Sequence, residues 1–278
     1  MEPIVVATDL SPAGDSAVQY AAGLAQSLQR PLHLLHAFMV PTGISELPLQ
    51  PEVATLHTYP VSYDALRAEA EEGLRLSVTR VQQAYPGLTV VPQAVPAVGV
   101  SNSLLDAVEP LKPLCLVLGT HPRHGFTETF DSRGLDLLRM ASFPLLTVPQ
   151  GYSGAAPTQA ALAVDGRSIA PAQLATVRRL ATTLGLQLDI VHVQTGDGEH
   201  PSCQELLQQL SGLPVHLHTV RNDDVTEGLH SFLQQSGAQL LLQLPHHHNF
   251  WERLFGKQHT ADIVSEINVP VLVIPEGT

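Results

Sequence analysis

The chain repeats itself, and this limits its fold more than any other feature. Ile4-Val5-Val6-Ala7-Thr8-Asp9 leads through a helical stretch to Leu32-His33-Leu34-Leu35-His36. Ala160-Ala161-Leu162-Ala163-Val164-Asp165 leads in the same way to Leu188-Asp189-Ile190-Val191-His192. Asp9 and His36 stand 27 residues apart, as do Asp165 and His192. Two further anchors follow in order. Leu116-Val117-Leu118-Gly119-Thr120-His121 parallels Leu241-Leu242-Gln243-Leu244-Pro245-His246, and Pro144 to Pro149 parallels Pro270 to Pro275. Four matched anchors in one order mark a duplication.

Each copy alternates strand and helix. The strands are continuous apolar runs, as expected of strands buried on both faces. Ala17, Ala21, Leu24, Ala25 and Leu28 form one apolar helical face, opened by Ser11 as cap and Pro12 at the first helical position. Leu174, Val177, Leu180 and Leu184 form its counterpart in the second copy. Such alternation predicts an α/β fold: two tandem, doubly wound, five-stranded parallel-sheet domains, Rossmann-like, over residues 1–150 and 157–278. At 278 residues the chain is long enough for each to bury its own core. Gly151 to Pro157 reads as the linker. A Pro- and Thr-rich loop, Val40 to Pro60, has no equivalent in the second copy. The closing strands, Pro144 to Val148 and Pro270 to Ile274, are apolar edges, and exposed apolar edges invite pairing with each other.

Composition narrows the function. A formal charge of −12 lacks the basic footprint of nucleic-acid or anionic-membrane binding. No apolar run reaches the roughly 20 residues of a membrane span, and no signal segment precedes the first strand. Cys115 lies in an apolar run and Cys203 opens a helix, so two reduced, unbonded thiols are expected, which fits the cytoplasm. His246-His247-His248 are adjacent in a loop without partner ligands, so no metal is assigned. Phe250, Trp251, Leu254 and Phe255 have near-helical spacing and read as packing. No nucleophile elbow, P-loop, dinucleotide turn or zincin helix is present, and no nucleophile is paired with a base.

In an open parallel sheet a ligand binds beyond the carboxyl ends of the strands. There the sequence places Asp9, His36 and Gly119-Thr120-His121. This strand-Thr-Asp-x-Ser pattern, with a second strand ending in His and a fourth ending in Gly-Thr-His, resembles the universal stress proteins over nearly the whole chain, one family domain per half. The resemblance implies an ATP site with glycines and a Gly-Ser/Thr pair after the fourth strand, because glycine lets backbone amides approach phosphates closely. The matching residues in the first copy are Asp9, Gly119, Gly125 and Ser132. Two departures weaken the site: Pro122 has no amide hydrogen to offer, and Asp131 repels phosphate. The second copy keeps Asp165 but has no glycine between Pro245 and Gly256, like the family branch that does not bind ATP. Asp9 and Asp165 also suit helix N-termini, and His36 and His192 suit structural hydrogen bonds.

The resemblance therefore implies a non-catalytic, cytoplasmic stress-response protein that binds ATP weakly or not at all. Its halves would pair as the single-domain members do, through their last strands, and a homodimer is a further expectation. Slow ATP hydrolysis by the first copy, and a pure interaction module using Val40 to Pro60 and Phe250 to Phe255, are the alternatives.

Overall fold

The computed structural model describes residues 2–40, 62–120, 137, 140–165, 168–195, 202–244 and 268–276. The first half of the chain runs β1 (Ile4–Ala7), α1 (Pro12–Ser27), β2 (Leu32–Met39), α2 (Tyr63–Ala84), β3 (Val90–Ala97), α3 (Val100–Val108), β4 (Cys115–Thr120) and β5 (Leu145–Pro149). The second half runs β6 (Gln159–Val164), α4 (Pro171–Leu184), β7 (Gln187–Gln194), α5 (Ser202–Gln209), β8 (Val215–Arg221), α6 (Val225–Ser236), β9 (Leu240–Gln243) and β10 (Val271–Val273). The helices start where local chemistry allows. Ser11 caps α1 by accepting from the Gly14 amide, with Pro12 at the first position, and Asp224 caps α6 by accepting from Thr226 and Glu227. Gly185, at φ 66°, ends α4 in the left-handed conformation.

All ten strands form one sheet in the order β3-β2-β1-β4-β5-β10-β9-β6-β7-β8. Neighbours within each half are parallel. At the centre β5 and β10 run antiparallel, with Val271 opposite Thr147, Leu272 opposite Leu146 and Val273 opposite Leu145. The strand order from this junction outward is the same in both directions. The fold is thus the expected α/β class, a parallel-dominated sheet with helices on both faces.

The separate cores expected from the sequence are not what forms. Side chains alternate along each strand, so one apolar cluster lies on each face and crosses the junction. Ile4, Val6, Leu146, Leu272, Leu162 and Ile190 share one face with α1, α2, α4 and α5. Val5, Leu145, Val273, Leu241 and Val191 share the other with α3 and α6. The physical reason is the β5–β10 pairing, which makes the sheet continuous. The linker is also pinned: Gly151 N–H donates to Ser16 Oγ at 2.9 Å, and Tyr152 packs edge-on against Tyr20 with centroids 5.6 Å apart. Glu2 links the halves at the opposite end of the strands. Its carboxylate takes both oxygens to Arg179 (2.7 and 2.8 Å), while its carbonyl accepts from Arg30 at 2.6 Å. Half-exposed ion pairs of this kind contribute at most about 1 kcal/mol, so burial dominates the junction.

The fourth helix expected in each half, like Val40 to Pro60 beyond its first residue and Phe250 to Phe255, falls outside the described residues apart from Leu137 and Met140, which are helical. Both cysteines are free and buried. Burial pushes the Cys115 thiol up to about 12, with Arg179 and Arg30 pulling weakly the other way.

A core shared across the junction should unfold as one unit. Urea denaturation is expected to show a single transition by fluorescence and circular dichroism, and Leu272→Ala should shift all of it by about 2–5 kcal/mol. Two separated transitions, only one of them moved by the substitution, would contradict this. A thiol whose folded-state pKa is raised stabilises the fold below its ordinary value of 9.0 and loses that contribution as pH climbs toward about 12. Cys115 should accordingly resist a thiol reagent at pH 8 in the native protein. Denatured, non-reduced chain should titrate with two thiols; a count of none would overturn the reduced state.

Candidate functional site

The carboxyl end of β1 turns sharply into α1. Thr8 Oγ1 accepts from the Leu10 amide and Asp9 Oδ1 from the Ser11 amide, each at 3.0 Å. Between them Leu10 takes φ 63°, a left-handed conformation that costs a side-chain-bearing residue about 1–2 kcal/mol. Its side chain is seated on α2 at Gly73, where an added Cβ would lie 2.4 Å from Leu10 Cδ1. The two turn bonds and this contact hold the strained residue in place.

Two more glycines close the arrangement. A Cβ on Gly119 would lie 2.3 Å from the Ala13 carbonyl oxygen and 2.9 Å from the Gly14 nitrogen. A Cβ on Gly14 would lie 2.5 Å from Thr8 Oγ1 and 2.7 Å from Asp9 Oδ1. The end of β4, the first turn of α1 and the Asp9 carboxylate therefore meet with no side chain between them. Gly119 thus has a packing reason in addition to the one expected from the sequence. Asp9 and Gly119 are brought together; Gly125 and Ser132, with Pro122 and Asp131, lie outside the described residues.

Both strand-end histidines have a structural partner. His36 Nδ1 lies 2.8 Å from the Thr8 carbonyl oxygen and His192 Nδ1 3.2 Å from that of Val164. A carbonyl can only accept, so Nδ1 carries the proton in both rings. The equal 27-residue spacing thus has a physical basis: each histidine ties the end of its strand to the residue just before the aspartate.

In the second half the same place is filled. Leu116 N–H donates to Pro144 O and Leu241 N–H to Pro270 O, so Gly119 and Leu244 occupy equivalent positions. Leu32 and Leu188 hold matching places beside β1 and β6, and the left-handed residues Gln29 and Gly185 each stand three positions before them, so α4 begins one turn later than α1 and Gln173 takes the place of Ala17. Leu244 is buried in the core, and Gln173 is fully buried with Nε2 donating to Ile274 O at 3.0 Å. Sequence reading missed Gly14, because its close approach to Thr8 and Asp9 is a contact that no local pattern encodes. Pro171 stands six positions after Asp165 where Pro12 stands three after Asp9, which accounts for the later start of α4. Cys203 lies close enough to Asp165 that its thiol is raised first by burial and then by that carboxylate.

Elsewhere, a cleft of about 620 Å³ beyond β7 and β8 is lined by Gln194, Arg221, Asn222, Asp224 and Glu227 among others, and by neither Asp9 nor Asp165. Asp224 there is occupied as the α6 cap. Asp189 is the buried carboxylate of β7. It accepts from Gln159 Nε2 at 2.6 Å and lies 3.0 Å from His218 Nε2, which satisfies it without a ligand. Among the described residues no group of three or more His, Cys, Asp or Glu could hold a metal ion, and no helix is long and apolar enough to cross a membrane.

No curated protein matches the sequence. Among solved structures, a universal stress protein from Archaeoglobus fulgidus superposes with a TM-score of 0.73 at 16% identity, covering 99% of this chain and 98% of that one. A protein of unknown function from Pseudomonas aeruginosa PAO1 gives 0.58 at 13% identity, covering 100% and 93%. A universal stress protein in complex with cAMP gives 0.39 at 18% identity, covering 54% and 98%. The family model described as the universal stress protein family matches residues 1–149. With more than half of the 278 residues so matched, the chain belongs to the universal stress protein family.

Proposed function

We propose that this chain is a non-catalytic, cytoplasmic regulatory protein of the stress response, in which the first half binds ATP weakly or not at all and the second half does not bind it. It consists of two family units, 1–150 and 157–278, held together through β5 and β10 as a dimer-like pair within one chain. The mirrored strand order on either side of that junction supports this division.

One observation carries the nucleotide reading. Gly14 and Gly119 leave backbone facing backbone around Asp9, whereas Leu244 puts a buried side chain at the position of Gly119 in the second half. A phosphate loop works by backbone amides that a ligand can reach, and buried side chains remove that approach. Any site therefore belongs to the first half, with Asp9 and Gly119 in it and Gly125 and Ser132 completing it. The proline at 122 and aspartate at 131 weaken it, and an overall charge of −12 works in the same direction.

Calorimetry with ATP and magnesium should give at most one weak site per chain. Asp9→Ala should remove it and Asp165→Ala should leave it unchanged. Binding at about micromolar or tighter, roughly −8 kcal/mol, would contradict the weakness assigned to the first half. Dependence on Asp165 would contradict the choice of half.

Gly119→Ala tests the packing itself. The new methyl meets Ala13 backbone at 2.3 Å, so β4 and α1 must separate. The variant should lose about 1–3 kcal/mol of stability by thermal or urea unfolding, together with any ATP binding. An unchanged melting curve would show that this contact is not tight.

A further inference from the structure

The two ends of the ten-stranded sheet are built differently. At one end, Leu32 N–H donates to Thr89 O and Val40 N–H to Ala97 O, so odd-numbered residues of β3 face β2. The outward positions are Val90, Pro92, Ala94 and Pro96. Two of these four have no N–H to offer, which blunts the edge. At the other end, Leu188 N–H donates to Pro214 O and Asn222 N–H to Gln194 O, so even-numbered residues of β8 face β7. Val215, Leu217, Thr219 and Arg221 turn their N–H and C=O groups outward, with no proline among them. β8 ends the sheet, and no described residue hydrogen-bonds to this edge.

We infer that β8 is a self-pairing edge, and that two copies of this chain join antiparallel through it about a two-fold axis at His218. This register uses every outward group: Val215 pairs with Arg221 of the second copy, Leu217 with Thr219, and the reverse, for about eight backbone hydrogen bonds. Side-chain chemistry agrees. Val215 and Leu217 are half-buried at the rim of the core on the α5 face and would be covered from the other copy. Arg221 is the only Lys, Arg, Asp or Glu on the strand and meets valine, so no like charges are opposed. The His218 ring, which lies on the axis, is drawn toward Asp189 of its own chain. The net charge of −12 resists association at long range, but ionic screening over about 8 Å at physiological salt removes most of it. One open edge and one proline-guarded edge per chain give a closed pair rather than a growing ribbon.

Sedimentation of the full chain should give a particle of twice 29.8 kDa. Thr219→Pro deletes an outward donor without touching the β7 ladder, and Thr219→Lys places two cations near the axis on an exposed position. Each should weaken association at least about tenfold while circular dichroism and the melting transition stay native; if the proline variant fails to fold, the lysine variant decides. Ala94→Pro, on the guarded edge, should leave the pair intact. A monomeric wild type, an open-ended polymer, a pair indifferent to both Thr219 changes, or one broken by Ala94→Pro would each overturn the assignment.

Discussion

Three residue pairs between β5 and β10 carry most of what is distinctive about this molecule. Their hydrogen bonds are few, and each adds only about 1 kcal/mol net. What they organise is larger. Leu145, Leu146, Val271, Leu272 and Val273 are all nearly or fully buried, and apart from each other they would form two apolar edges with both cores open at the side. Joining them turns two half-covered layers into one apolar layer on each face. Glu2 and Tyr152 add contacts at the margins, but their partial exposure limits them to supporting roles.

The carboxyl ends of the strands depend on a different constraint, the close approach of backbone to backbone. Gly119 against Ala13 and Gly14 against Asp9 allow α1 to begin almost on top of β1 and β4. The histidine bonds to the Thr8 and Val164 carbonyls are a feature of the fold, since they occur in both halves. The glycine contacts occur in one only. Fold and candidate site can therefore be told apart within a single chain: what both halves keep serves the sheet, and what differs concerns the approach of α1 to the strand ends.

The alternation of strands and helices along the chain, the α/β class and the buried face of α1 were legible because they rest on local periodicity: Ala17, Ala21, Leu24 and Ala25 are all buried, as their spacing requires. Asp9 and Gly119 were legible because strand ends are recognisable. Other features depend on contacts distant in sequence, which no local pattern encodes. Tyr152 stands in a Gly-, Ser- and Ala-rich stretch that reads as a free linker, and only its packing on Tyr20 reveals otherwise. Asp189 stands where the first half has His33, so the repeat itself hides a buried carboxylate that needs Gln159 and His218. Continuity of the cores was hidden for the same reason.

Leu10 brings these strands of reasoning together. A leucine held at φ 63° is a standing cost of about 1–2 kcal/mol, and a glycine there would remove it. The cost is met by Thr8, Asp9 and the seat at Gly73, all of which would be unnecessary in a longer, relaxed turn. In the second half the proline that opens α4 stands three positions further from its aspartate, and Leu244 is buried where the first half has Gly119. The tight turn and the side-chain-free contact thus occur together in the first half. Strain that stability alone does not call for points to a requirement on geometry, and the geometry held here is the position of the Asp9 carboxylate over the first turn of α1.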